Sequence, residues 1–518
     1  MSDACGLVRL LRPAPQTDHS SLPPELWIDI FRYATYVPRI RGLSPGDPFE
    51  PQRPSNYAWG VNTPVSSLAT KRNVVLVCRA WYCLATELLY EHVVISSRRR
   101  AFLLLRTLHH SDRMVRRMQA RGEITEGLAR WVRHVEIHDC ARTSKSLHFW
   151  SAVAAILSLL PNLHVLSGIW ERPLAKNLLE VFSRYLTSSI QGLYWDEGLI
   201  PEGEPSLLSS AFLPKYQSLR VLDIRKLRLE DPDTFPADTA SSISLPSVVD
   251  LLLPTCPAVL GFARKLELPR LRRLVLDAAN LRRNSSSYVS SSLNKLLAAH
   301  GPKITTLELL PMTSLSYQAS PISITTFLQP DVCPMLETFV FDCREKLLNA
   351  RSPPPSSLSS TPALPASSTR PPSFSAPPTP SRNAPEPELH TPNRTLRRIG
   401  IRGMGISRLY PNRPSHAQEH LHSLLRHRAL FPVLETVRTV GFLVDACTDQ
   451  FARDIFIWWT EKFEEQGLDM QDGEGVVWLY TDPADGKQEI VAQDEIVAED
   501  RASLVHKSDA EEVKSAKA

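Results

Sequence analysis

The sequence predicts an α+β fold: a helical N-terminal module, then an irregular α/β solenoid closed by a C-terminal cap. Three observations carry this. Residues 22–37 and 74–89 place apolar side chains at helical spacing. After residue 128 a short apolar phrase, usually led by proline, recurs mostly every 23 to 33 residues. Residues 351–392 hold 13 of the 43 prolines and interrupt that recurrence.

Taken in order, residues 1–19 read as a disordered N-terminus and 20–95 as the helical module, with an inserted loop at 39–69. In the module, Pro23 and Pro24 stand where a helix begins, a position at which a missing N–H costs little. Glu25 suits the positive end of the helix dipole. Leu26, Ile30, Tyr33 and Val37 form one apolar stripe, Trp27 and Phe31 a second, and Pro38 is expected to end the run. Val74, Val77, Cys78, Trp81 and Leu84 read as one helical face, continued by Ala85, Leu88 and Leu89. The insertion is rich in proline, glycine and polar residues, which a surface loop accommodates at modest entropic cost.

Residues 96–350 form the first part of the repeat array. The phrase is a leucine, two residues, a bulky apolar residue, one residue and another apolar residue. Clear copies lie at Pro161–Leu166, Tyr216–Ile224, Pro246–Leu253, Pro269–Leu276, Pro302–Leu309 and Pro334–Phe341. Weaker ones lie at Trp131–Ile137 and Ile190–Trp195. Alternating apolar positions place one set of side chains on one face of a short strand, and such a unit must stack on neighbours to bury it. Helices are expected between strands at Ser146–Leu160, Leu174–Leu186, Pro257–Leu266, Val289–His300 and His416–Leu430.

Residues 351–392 cannot bury enough apolar surface to offset ordering and read as a disordered loop, with Thr361, Thr379 and Thr391 each preceding proline. The array resumes over 393–482, with copies at Asn393–Ile401 and Pro432–Val440, an amphipathic helix at Phe451–Phe463 and a last strand at Val476–Tyr480 acting as the cap. Residues 483–518 read as a disordered tail.

Two family resemblances follow. The run Leu22-Pro-Pro-Glu-Leu26 through Phe31, followed by Val77-Cys-Arg-Ala-Trp81, resembles the two halves of an F-box, in an arrangement similar to the F-box-like proteins of basidiomycete fungi. The repeated phrase resembles a degenerate leucine-rich repeat, lacking in most copies the asparagine that follows the strand. The F-box resemblance implies a non-catalytic, substrate-recruiting adaptor of an SCF-type ubiquitin ligase. It implies a Skp-type adaptor docked on Leu22, Pro23, Leu26, Ile30, Phe31, Val77, Cys78 and Trp81, the last three contacting it or supporting the contact from within. A cullin would follow through that adaptor, and a target protein of unknown identity would bind the repeats. The alternative is an interaction scaffold acting outside ubiquitin ligation.

The remaining chemistry points away from other classes. There is no G-x-G-x-x-G, no G-x-x-x-x-G-K-[ST] and no G-x-S-x-G, which argues against a doubly wound nucleotide-binding enzyme or a hydrolase. Asp196-Glu197 and Glu464-Glu465 are adjacent carboxylates, but nothing in the sequence builds a pocket around them. Eight cysteines show no metal-ligand spacing and read as reduced. His134 and His138 stand four apart inside a strand-like phrase, where that spacing does not pair side chains as on a helix. No cofactor is expected. Ten arginines between Arg98 and Arg133 read as a solvated helix face, so no nucleic-acid partner is expected, and a net charge of +4 agrees. No run reaches 18 apolar residues, so no membrane span is expected. The N-terminus lacks a signal-peptide pattern, so an intracellular site, cytoplasmic and/or nuclear, is expected. The strand residues Arg220, Asp223, Arg225, Arg272, Arg273, Asp277, Glu308, Glu337 and Asp342 are expected to lie exposed, with mixed sign.

Overall fold

The structure is a computed structural model that describes residues 22–37, 43, 47–49, 62–123, 126–138, 146–170, 176–186, 189–197, 199–200, 212–229, 243–278, 286–310, 324–343, 391–410, 415–444 and 449–479. The terminal segments 1–19 and 483–518 and the proline-rich loop, apart from residues 391–392, lie outside these.

Three helices come first: α1 (Pro24–Ala34), α2 (Pro64–Val77) and α3 (Arg79–Glu91). A short strand β1 (His92–Ile95) and a long helix α4 (Arg98–Gln119) follow. Strands and helices then alternate: β2 (His134–His138), α5 (Ser146–Ser158), β3 (Val165–Trp170), α6 (Lys176–Tyr185), β4 (Gly192–Glu197) and β5 (Leu199–Ile200). Next stand β6 (Val221–Asp223), β7 (Arg228–Leu229), β8 (Ile243–Ser244), β9 (Asp250–Pro254), α7 (Pro257–Arg264), β10 (Leu266–Glu267) and β11 (Arg273–Asp277). The chain continues through α8 (Ser286–His300), β12 (Thr306–Leu310), α9 (Ile324–Leu328), β13 (Thr338–Asp342) and β14 (Arg398–Arg402). The last described elements are α10 (Ile406–Leu409), α11 (His416–Arg426), β15 (Thr436–Val440), α12 (Gln450–Glu464) and β16 (Asp469–Gln471).

One 12-stranded sheet organises the molecule. Its order, β1-β2-β3-β4-β6-β9-β11-β12-β13-β14-β15-β16, is the order of the chain, and the pairings are parallel. All ten predicted repeat phrases become strands of this sheet. The proline-led start of the phrase is a turn, and the residue before each strand joins a second ladder. Arg220 N–H donates to Gln191 O, Val249 N–H to Arg220 O, Arg272 N–H to Val249 O and Thr305 N–H to Arg272 O. Each turn is thereby stacked on the one before it, so the main-chain groups at the sheet's entrance are paired.

The alternating residues divide the sheet into two faces. Leu166, Leu222, Leu251, Leu274, Leu307, Phe339, Ile399 and Val437 point to the helices and join a single large core with Val153, Phe182, Val259, Leu293, Phe327, Leu421 and Phe456. The helices therefore cover one face, which completes the strand-plus-helix unit expected from the sequence. The opposite face carries the polar members of the phrase together with a second apolar group, Val165, Tyr194, Val221, Leu252 and Val275.

Four expectations are corrected. The first helix ends at Ala34 rather than at Pro38, because the Thr35 hydroxyl donates to Phe31 O at 2.7 Å and closes the turn. Val74 to Leu84 is not one helical face: Cys78, at φ −157° and ψ 171°, separates α2 from α3, and its sulfur caps α3 by accepting from Trp81 N–H. The inserted loop is shorter than 39–69, since α2 starts at Pro64 with a reciprocal Thr63–Ser66 capping box. The last strand among the described residues is Asp469–Gln471, and the described part of Val476–Tyr480, residues 476–479, is not a strand. There Asp472 accepts from Glu474, Val476 and the Trp478 indole and winds residues 472–478 into a turn instead.

Of the expected cap, the helix forms, as α12. Asp449 caps α12 through Ala452 N–H, and the fully buried Trp459 donates its indole N–H to Leu409 O at 2.9 Å. No helix among the described residues is long and apolar enough to cross a membrane.

Candidate functional site

Two surfaces carry the chemistry that the sequence singled out. The first is the N-terminal helical module. Asn62 donates to both Ala34 O and Tyr36 O, and Ser67 donates to Thr35 O, so the start of α2 ties down the end of α1. Trp81 of α3 inserts against α1, its ring centroid 4.9 Å from Trp27 and 4.8 Å from Phe31. Each such aromatic pair adds about 0.5–1.5 kcal/mol beyond the area it buries. Val75, Ala85 and Leu88 complete this small core.

The two stripes of α1 consequently have opposite fates. Trp27 and Phe31 face inward. Leu26, Ile30 and Tyr33, continued back to Leu22, face outward, with Tyr33 87% exposed, whereas Val37, the fourth residue of that stripe, lies beyond the helix and is buried. Pro23 and Cys78 are exposed too, as are Leu76, Val77 and Tyr82. Of the expected docking residues, Leu22, Pro23, Leu26, Ile30, Val77 and Cys78 lie at the surface. Phe31 is the exception: at 3% exposure it supports the surface from beneath. Half-buried Trp81 does the same. The sequence missed Leu76 and Tyr82, whose exposure depends on where α2 breaks.

The second surface is the polar face of the sheet. The expectation that its charged residues are all exposed is corrected: Asp223, Asp277, Glu308 and Asp342 are all buried. At Glu308 cross-strand pairing is the reason. Its carboxylate accepts from Arg273 at 2.9 Å and from Arg402 at 2.5 Å. Burial alone would raise the Glu308 carboxyl, but Arg402 and Arg273 outweigh it and hold it below its ordinary range. Asp223 holds Arg225 through two hydrogen bonds from the guanidinium. Arg220, Arg272 and Glu337 are exposed as expected.

Part of the α1–α2 connection lies on this face. Leu43 packs beside Val165 and Tyr194 and over Gly192, where a Cβ would stand 3.1 Å from its methyl carbon. Phe49, 5% exposed, seats on Val340 and Val440. Between those valines Gly400 leaves the floor flat: a Cβ there would approach their methyl carbons to 2.8 and 2.9 Å. The guanidiniums of Arg398 and Arg438 lie over the Phe49 ring at 4.9 and 5.1 Å. Arg438 Nη1 donates to Phe49 O, and Arg398 Nη1 lies 3.4 Å from Asp47 Oδ2. Each cation–π contact contributes about 0.5–2 kcal/mol, the larger figure where water is excluded.

The other candidates are absorbed by local structure. His92 and His134 stack at 4.1 Å, and Glu136 bonds His92 and His138 at 3.3 and 3.1 Å. These bonds outweigh burial and hold the Glu136 carboxyl down at about 2. His134 Nε2 reaches Ser167 Oγ at 2.8 Å. Among the described residues no group of three or more histidine, cysteine or carboxylate side chains is placed to hold a metal ion. Cys78, Cys83, Cys256 and Cys333 are thiols, and burial, then Asp331, pushes Cys333 up to about 12. In α4 only Ala101 and Leu108 are buried, so its arginines line a solvated helix.

No family model matches the chain, and no curated protein matches it significantly.

Proposed function

We propose that this chain is a non-catalytic, substrate-recruiting adaptor of an SCF-type ubiquitin ligase. The N-terminal helices dock a Skp-type adaptor, which brings a cullin, and the sheet with its helices is a leucine-rich-repeat-like solenoid whose face opposite the helices binds a target protein. No residue of the chain enters a covalent step; the chain raises the target's local concentration beside the conjugating machinery.

One observation carries this reading: an apolar stripe, Leu22, Leu26, Ile30 and Tyr33, stands exposed over a closed Trp27–Phe31–Trp81 core. A helix whose outward face is apolar while its inward face is already packed has bound surface to spare. Such contiguous patches mark partner sites. The order of strands, each paired with the next in the chain, supports the solenoid, since stacked repeats bury their core only against neighbours.

Affinity capture of the full chain tests the reading, with a Skp-type adaptor and cullin expected to co-purify. Leu26→Ala with Ile30→Ala abolishes capture while circular dichroism stays unchanged. Retained capture by that folded variant overturns the docking assignment. A wild-type chain that holds targets but never adaptor or cullin belongs instead to a scaffold working outside ubiquitin ligation.

A further inference from the structure

We propose that the slot formed by Val340, Gly400 and Val440 between Arg398 and Arg438 is a recognition site for an acidic–x–aromatic peptide segment of a target protein, occupied here in cis by Asp47-Pro48-Phe49. The proposal rests on reading the polar face as the target-binding surface, and it adds which chemistry that surface selects.

The slot reads three features of its occupant. The ring lies on the two valines and beneath both guanidiniums. The carboxylate of Asp47 meets Arg398. The main-chain carbonyl of Phe49 accepts from Arg438. Any peptide with Asp or Glu two residues before an aromatic residue presents the same three groups. The intervening residue forms none of them.

The slot is built independently of its occupant. Arg438 is aimed by Gln471, whose Oε1 accepts from Nε at 3.0 Å and from Nη2 at 2.6 Å. Gly475, at φ +89°, leaves room for that guanidinium, since a Cβ there would fall 2.3 Å from Nη2. Arg398 is held by the Thr338 hydroxyl at 3.0 Å. The strand ladder β13-β14-β15 closes without residues 47–49. Their only covalent connection is to the α1–α2 hairpin, an element with its own core.

Charge decides the kind of partner. Two cations face one ring, and each repels the other, so an occupant bearing a carboxylate is favoured over a neutral or basic one. Asp47 supplies that charge at a half-exposed position. A target peptide must displace the segment held in cis, and the tethered copy lowers its apparent affinity.

The test uses the full chain and a fluorescein-labelled synthetic peptide of this chain's residues 44–53, read by fluorescence anisotropy. Phe49→Ala, which vacates the slot, binds the peptide at least about tenfold tighter than wild type. Adding Arg438→Ala removes the gain, and a peptide carrying Phe49→Ala does not bind. A folded Phe49→Ala chain that binds no better than wild type overturns the proposal and leaves residues 47–49 as a structural strap. Should Phe49→Ala not fold, Asp47→Lys decides: it sets a cation beside Arg398, and no gain in peptide binding overturns the proposal equally. Adaptor capture measured on the same samples separates the two readings. Capture without peptide binding ends this inference alone, whereas peptide binding without capture ends the docking reading alone.

Discussion

Glu308 and Arg402, 94 positions apart in the chain, meet at 2.5 Å on the polar face of the sheet, and Arg273 closes the group from the other side. The carboxylate is 6% exposed and both arginines are largely buried. Glu308→Ala leaves two guanidiniums buried without their anion and is expected to cost about 3–5 kcal/mol. Urea unfolding followed by circular dichroism measures this. A loss within about 0.5 kcal/mol would mean that water replaces the carboxylate at no cost.

Neighbouring residues of α1 give opposite outcomes. Phe31→Ala opens a cavity in the Trp27–Trp81 core and is expected to cost about 3–5 kcal/mol. Ile30→Ala, one position earlier on the outward stripe, stays within about 0.5 kcal/mol of wild type but loses adaptor capture. Chemical denaturation and pull-down on the two variants check the pair. Equal stability losses would mean that Ile30 is covered in solution.

His300, at the end of α8, is 3% exposed and bonds Ala263 O through Nε2. Burial lowers its pKa, the Ala263 carbonyl partly opposes this, and Lys303 lowers it further. Its folded value therefore lies below the unfolded value of about 6.5. Over the window between them the unfolded chain binds more protons. Stability from this site is complete above the unfolded value and is lost as pH falls through the window. His300→Gln keeps a donor to Ala263 without a titrating ring, so its melting temperature should fall less than that of wild type between about pH 7.5 and 5.5. Parallel curves would place the acid sensitivity elsewhere.

The strands were legible because their signal is local. In Pro269–Leu276 or Pro302–Leu309 the proline-led turn and the alternating leucines lie within eight residues, and the same phrase recurs. α12 was legible for the same reason, through Phe451, Ile455, Trp459 and Phe463. The break at Cys78 was not: Val74 to Leu84 keeps helical spacing across it, and the extended backbone of Cys78, whose sulfur caps the second helix, carries no signature in that spacing. Val476-Val-Trp-Leu carries a strand's composition, yet Asp472 captures the donors of Glu474, Val476 and Trp478 and folds the segment into a turn. The burial of Glu308 depends on arginines from two other strands. The seat of Phe49 depends on residues hundreds of positions away. Neither leaves a mark in a short window.

That last separation has a consequence for synthesis. Each strand of the large sheet pairs with one already made, so the stack lengthens as the chain leaves the ribosome. Phe49 and Asp47 emerge early, but their arginine partners follow 389 and 351 residues later. At about 5–20 residues per second that is roughly 20–80 s. For most of that interval the helices up to Glu91 are already made while the arginines that anchor their connection are not, so Phe49 gains its seat only when the last strands are laid down.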